Sequence, residues 1–217
     1  MKIENVKSFV HYGVNLQQTK EQIIFGGFGI VAMAMLIGIF GFGYPQTLWT
    51  SVAAYLLSLL YLVLLSIFSK KLDLKKRIQC SALTSIFAVV LFTLSAAILL
   101  LVKSVPYVVL ICFIPGLLAI LSFLISYIRL KKNKYVNKRN NPKYNKMLSY
   151  AAIGSTIGAL IFKTFLKRIS FEIISAEVLV AILLEGVACL FAFMGAPVIL
   201  KWYYIWKFSK QGVDLGY

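Results

Sequence analysis

The stretch CSALTSIFAVVLFTLSAAILLLV, residues 80–102, carries no charged residue and is long enough to cross a bilayer as one helix. A transmembrane helix needs roughly 20 apolar residues, because the hydrocarbon core is about 30 Å thick. Five further runs of similar composition occupy most of the remaining chain. The six predicted spans are 23–43, 47–68, 80–102, 106–128, 147–166 and 178–200. The sequence therefore predicts an all-α integral membrane bundle of six transmembrane helices.

Composition supports a single membrane domain over residues 23–200. Hydrophobic residues make up 60% of the chain and charged residues 14%, against about 45–50% and about 25% in soluble domains. Segment 1–22 has apolar residues at helical spacing and is interpreted either as an amphipathic helix on the inner leaflet or as a frayed polar tail. Segment 201–217 is interpreted as an aromatic and basic tail that anchors the last span at the interface.

The positive charges are distributed unevenly along the chain. Of 23 Lys and Arg residues, nineteen lie in four alternating segments, namely 1–22, 69–79, 129–146 and 201–217. This alternation is the positive-inside pattern, and it predicts a plasma-membrane protein with both termini in the cytoplasm. The net charge of +16 then indicates attraction to anionic lipid headgroups rather than to nucleic acid, because no aromatic-interleaved binding platform accompanies it.

Glu185 is the single acidic residue inside a predicted span. An unpaired carboxylate in hydrocarbon is costly, so we expect it to be protonated or partnered. It shares its helical face with a stripe of small residues, and such stripes face other helices rather than lipid. The stripe comprises Ala181, Ala188, Ala192 and Ala196.

The predicted span 147–166 offers a polar face to pair with Glu185. Thr156 and Lys163 are seven residues apart and therefore share one side of a helix. We expect Glu185 to contact one of them between the last two spans, either as a structural staple or as an ion or ligand site. Gly154 and Gly158 form a G-x-x-x-G motif in the same span, which favours close helix packing.

Two proline motifs predict irregularities in the spans. Pro115 and Gly116 lie near the middle of span 106–128, and Pro197 lies at the end of span 178–200. Because proline removes a backbone donor and clashes with the preceding turn, we expect kinks at these positions. Such breaks near the midplane also occur at transporter sites.

Motifs for catalysis are missing from the sequence. His11 is the one histidine, and the chain contains no H-E-x-x-H, G-x-S-x-G or nucleotide-binding motif. Its three cysteines are isolated, which argues against a zinc or redox site. We therefore expect no catalytic residues, no metal and no cofactor.

The remaining functional hypotheses are all membrane-based. The first is a non-catalytic protein acting through a protein partner or as a homo-oligomer, such as a toxin immunity protein or an accessory subunit of a secretion system. The alternatives are a small transporter or exporter permease with Glu185 as its polar site, and a lipid-interacting regulator. The excess of Lys over Arg, nineteen to four, is typical of an AT-rich genome such as that of a low-GC Gram-positive bacterium.

Overall fold

The structure, a computed structural model, describes residues 3–12, 20–69, 73–106, 108–132, 175–213 and 215. Every regular element in these ranges is helical. The elements are α1 (Ile3–His11), α2 (Lys20–Gly41), a 3-10 turn (Pro45–Thr47), α3 (Leu48–Phe68), α4 (Leu74–Val102), α5 (Val108–Cys112), α6 (Ile114–Lys131) and α7 (Ala176–Lys210).

Five stretches of the described chain are long and apolar enough to cross a membrane. This confirms the predicted all-α membrane-bundle architecture. The predicted span 147–166 lies outside the described residues. The five stretches are Ile23–Gly41, Pro45–Phe68, Leu74–Val102, Val108–Lys131 and Ala176–Lys210.

Helix α4 begins at Leu74, earlier than the predicted start at residue 80. Its start is set by Asp73, whose carboxylate accepts a hydrogen bond from the backbone N–H of Lys76 at 2.6 Å. This N-cap satisfies one of the free donors of the first helical turn. The basic residues that follow are therefore helical, although hydropathy alone places them in a loop.

Helix α7 likewise exceeds its predicted end at residue 200 and continues to Lys210. At 1.5 Å per residue its 35 residues extend about 52 Å, well beyond a hydrocarbon core of about 30 Å. Its last turns carry interfacial side chains, including Lys210, whose ammonium lies 4.1 Å from the ring centroid of Trp206. The aromatic and basic segment is thus a continuation of the last helix through residue 210.

Helix α4 is the centre of the described bundle. It packs against α2, α3 and α7, and its contact with α7 is the most extensive in the structure. Within the most apolar window of each helix, 56% of α4 is buried, against 17% of the α5–α6 stretch. The α5–α6 stretch is therefore peripheral among the described helices, with α7 as its main neighbour.

Helices α4 and α7 run antiparallel in a register fixed at several levels. Lys103 Nζ lies 3.1 Å from Glu177 Oε1 at one end of the pair. Farther along, the Phe92 and Phe191 rings stack with centroids 6.0 Å apart. Beyond them, Gly195 lies so close to Ser85 that a Cβ at Gly195 would overlap the serine side chain. Small residues thus allow the two backbones to approach.

The two ends of the bundle differ in composition. One end, here called the basic end, gathers α1, the start of α4, the end of α6 and the end of α7 around one apolar cluster. That cluster includes Val6, Phe9, Val10, Ile78, Leu130, Leu200, Tyr204, Ile205 and Leu215. The N-terminal helix and the C-terminal part of the chain therefore lie at the same end, and the Lys103–Glu177 ion pair lies at the opposite end.

The span that contains Pro115 and Gly116 is interrupted in the turn before them. The structure breaks the span at Phe113, whose N–H bonds to the Leu110 carbonyl at 3.3 Å instead of continuing the α-helical pattern. Pro115 is the second residue of α6, where a missing N–H removes no intrahelical hydrogen bond. The proline therefore starts a new helix after a break rather than bending a continuous one.

Pro197 lies inside α7, and the helix runs through it. Because proline has no N–H, the carbonyl of Phe193, four residues earlier, loses its normal helical donor. The Ser122 hydroxyl of α6 donates to this carbonyl at 2.6 Å. A side chain of the neighbouring helix thereby satisfies the backbone group that the proline leaves free.

Replacing Gly195 with valine should destabilise the bundle, because the new Cβ meets Ser85 of α4. We expect a loss of about 1–3 kcal/mol, as is usual for overpacking. Gly186 on the same helix has no atom within 4 Å of its Cβ position, so Gly186→Val is the matched control. Thermal unfolding in mild detergent measures both, and equal losses would contradict the close α4–α7 approach.

Ser122→Ala should cost about 1 kcal/mol, because it strips the Phe193 carbonyl of its donor. In a Pro197→Ala background the restored backbone N–H can serve that carbonyl, so the cost of Ser122→Ala should fall sharply. Ser66→Ala is the control, since the Ser66 hydroxyl bonds within its own helix, to the Val63 carbonyl. A cost of Ser122→Ala that is equal with and without Pro197 would refute the link between serine and proline.

Candidate functional site

Glu185 is the tenth residue of α7 and is almost fully buried, with 6% of its surface exposed. Both carboxyl oxygens are inaccessible and have no hydrogen-bond partner within the described part of the chain. Its helix neighbours Ala181, Leu184 and Ala188 belong to an apolar cluster shared with α2, α4 and α5. The site is thus a single acidic group in apolar surroundings.

The alanine stripe beside Glu185 is buried in the structure. Ala181 and Ala188 are completely inaccessible, and Ala192 and Ala196 are nearly so. Among the described helices, the main neighbours of α7 are α4 and α6. The stripe therefore supports close helix packing around Glu185, in line with the small-residue pattern.

Four of the residues singled out in the sequence lie outside the described residues. They are Gly154, Thr156, Gly158 and Lys163, all in the predicted span 147–166. The contact between Glu185 and Lys163 or Thr156 therefore stays a prediction.

Two hydroxyls of α4 lack hydrogen-bond partners among the described residues, which could not be predicted from the sequence. Ser and Thr in a membrane helix commonly bond to their own backbone, as Ser85 does with the Ser81 carbonyl at 2.9 Å. The hydroxyls of Thr93 and Ser95 instead are buried without a partner in the described chain. In the α4–α7 register, Ser95 is level with Glu185 and Thr93 lies about 3 Å closer to the basic end.

Helical geometry separates these two hydroxyls. With the Lys103–Glu177 and Ser85–Gly195 pairs aligned, a 100° turn per residue directs Thr93 and Glu185 to the same side of the α4–α7 contact. Ser95 points to the other side. Thr93 is therefore the α4 polar residue that belongs to the surroundings of Glu185.

A second group of polar contacts lies at the basic end of the bundle. Lys201 is almost fully buried, with 6% of its surface exposed. Its ammonium group donates a hydrogen bond to the Tyr12 carbonyl. The same ammonium group lies 5.6 Å from the centroid of the Phe9 ring. His11 Nε2 lies 3.1 Å from the Leu215 carbonyl oxygen. These contacts join the N-terminal helix to the C-terminal part of the chain, an arrangement that helical periodicity in segment 1–22 could not reveal.

Chemically, the site around Glu185 offers one carboxyl group and no second acid nearby in the described chain. In the part of the chain that the structure describes, no three His, Cys, Asp or Glu side chains lie close enough to hold a metal ion. The three cysteines are free, with Cys80 buried and Cys112 and Cys189 half-buried. The arrangement can accept a proton or a cationic group.

Comparison with protein-family models, with curated proteins and with solved structures finds no match to this chain.

Proposed function

We propose that this chain is a non-catalytic polytopic membrane protein that acts by binding a protein partner within the membrane. A toxin immunity protein and an accessory subunit of a secretion system are the two roles of this class that suit its build. The observation that carries the proposal is the outer face of the α5–α6 stretch.

That face carries apolar residues at alternating four- and three-residue steps, here called the outer seam. A repeat of 3.5 residues is the spacing by which two helices pack side by side in a left-handed pair. Each member is between 45% and 65% exposed in the described structure. The outer seam comprises Leu110, Ile114, Leu117, Leu121, Leu124 and Ile128.

Five of the six seam residues lie on α6, which is otherwise anchored in the bundle, and Leu110 lies on α5 before the break. Ser122 and Ser126 are buried, and Ser122 bonds to α7. One side of the helix is thus held to the protein while the other presents a regular apolar ridge. This division supports a docking helix, since helix pairs in lipid associate through complementary packing rather than through water exclusion.

The proposal includes an orientation. The basic end should face the cytoplasm, where positively charged segments are retained and anionic headgroups attract them. The proposal also includes a return crossing between α6, which ends at the basic end, and α7, which begins at the opposite end. The predicted span 147–166 would provide it.

The orientation is tested by cysteine labelling in intact cells, in a variant lacking the three native cysteines. Glu177→Cys should react with a membrane-impermeant maleimide from outside, whereas Lys207→Cys should react only after permeabilisation. The opposite pattern would invert the topology, and labelling of both from outside would rule out the six-crossing arrangement.

The partner role is tested by crosslinked pull-down of the tagged full chain from its native membrane, read by mass spectrometry. We expect one stoichiometric partner with the wild type and its loss in Leu117→Ala/Leu121→Ala, which truncates the seam. Ile120→Ala/Phe123→Ala is the matched control, because these side chains are also exposed but lie off the seam. Equal recovery from both variants would remove the seam from the interface.

A small transporter is the second candidate, supported by the buried Glu185 carboxyl with no partner in the described chain. Ionisable residues inside membranes commonly line ion or proton pathways. Recovery of the chain alone, or only with copies of itself, in the same pull-down favours this candidate. A transporter with Glu185 as its relay should lose pH-dependent flux in Glu185→Gln while remaining folded.

A further inference from the structure

The break between α5 and α6 lies within electrostatic range of Glu185. Cys112 is the last residue of α5, and its sulfur is close enough to Glu185 for an electrostatic interaction. Ile111 and Cys112 pack against the apolar cluster that contains Ala181 and Ala188 of α7. The buried carboxyl therefore lies near irregular backbone, not only near apolar side chains.

Irregular backbone in a membrane leaves hydrogen-bond acceptors free. Pro115 has no N–H, so the carbonyl of Ile111, four residues earlier, lacks the donor that a continuous helix would provide. In α7 the equivalent carbonyl, left free by Pro197, is served by the Ser122 hydroxyl. On α7, Glu185 becomes a hydrogen-bond donor when it carries a proton.

The charges around Glu185 favour the protonated form. On α4 the nearest cation in sequence register is Lys103, which is already paired with Glu177 at 3.1 Å, about two helical turns away. Helix α6 has no charged residue before Arg129, and α1 lies at the basic end. The neighbouring titratable groups are the thiols of Cys112 and Cys189. A buried carboxylate without a cation is strongly disfavoured relative to its neutral acid. The Thr93 hydroxyl on the same side makes no hydrogen bond within the described residues.

We propose that Glu185 is an intramembrane proton-binding site facing the α5–α6 break, and that its bound proton is shared with a backbone carbonyl which the break leaves free. A proton is the ligand that such a site can hold without a cavity. The neutral acid joins α7 to the break. Loss of the proton would place a negative charge against carbonyl dipoles and weaken that contact, whichever of the functions above the protein performs.

Infrared spectroscopy of the full chain in lipid bilayers at neutral pH tests this directly. A protonated carboxylic acid has a carbonyl stretching band above the amide I region, and the band shifts in D₂O. The chain has seven Asp and Glu residues, and Glu185 is the acid placed inside a span. We expect one such band in the wild type, its loss in Glu185→Gln and its retention in Glu177→Gln.

The variant Pro115→Ala then tests the proposed carbonyl acceptor independently of the bound proton. The variant restores an N–H for the Ile111 carbonyl, so the Glu185 band should persist but move to higher frequency as its hydrogen bond weakens. Gly116→Ala is the matched control, because Gly116 has no atom within 4 Å of its Cβ position, and it should leave the frequency unchanged. An unchanged band in Pro115→Ala would overturn the assignment of the break as acceptor.

Thermal unfolding provides an independent readout. A neutral carboxyl is closely mimicked by an amide, so Glu185→Gln should unfold at nearly the wild-type temperature. If Glu185 is instead ionised and paired with Lys163, the wild type will lack the band. In that case Glu185→Gln and Lys163→Met will each lower the unfolding temperature, and the double variant will lower it less than their sum. That result would overturn the proton site in favour of an ion pair.

Discussion

The close antiparallel approach of α4 and α7 is the interaction on which the described structure depends. Without water, helices gain little from apolar burial alone, so contact must come from dense packing and satisfied polar groups. Gly195 and the neighbouring alanines bring the α7 backbone against Ser85. Helices α2 and α3 then pack on α4, and α6 packs on α7. Displacing this central pair would separate the two halves of the bundle.

Two prolines, Pro115 and Pro197, each leave a backbone carbonyl without its helical N–H donor. Pro197 leaves a carbonyl that Ser122 serves through a short hydrogen bond. Pro115 starts α6 after a break, and the buried acid Glu185 lies within electrostatic range of that break. At Pro197 an irregular backbone position on one helix is matched to a polar side chain on its neighbour, which keeps polar atoms away from lipid. We propose the same pairing for the break before Pro115.

Much of the architecture could be predicted from sequence, because membrane insertion imposes length and composition on each span. The spans ending at Phe68 and Val102 agree with hydropathy to the residue. The extended start of α4 and the extended end of α7 could not be predicted in this way, since the Asp73 cap and the interfacial turns after Pro197 are polar. Hydropathy measures lipid compatibility, whereas these boundaries depend on hydrogen bonding and on packing at the basic end.

The candidate site was predictable in part for the same reason. An acidic residue in an apolar run stands out in any membrane sequence, so Glu185 could be found without a structure. The residues around Glu185 could not be predicted from the sequence, because they depend on which helices are neighbours. The α4–α7 register directs Thr93 toward the acid and Ser95 away from it, and the break between α5 and α6 brings Cys112 close. The pairing with Lys163 and Thr156 involves residues outside the described ranges.

The cluster at the basic end also bears on the order in which the protein is made. Val6 and Phe9 of the N-terminal helix pack against Leu200 and Ile205 near the other end of the chain. Because a chain is synthesised from its N-terminus, α1 is made before α7, and its apolar face cannot be covered until the end of α7 has been made. Contacts between such distant positions also form slowly once the chain is complete. Helix α1 therefore docks only after α7 has been synthesised, and until then its apolar face is open to the membrane surface or to a chaperone.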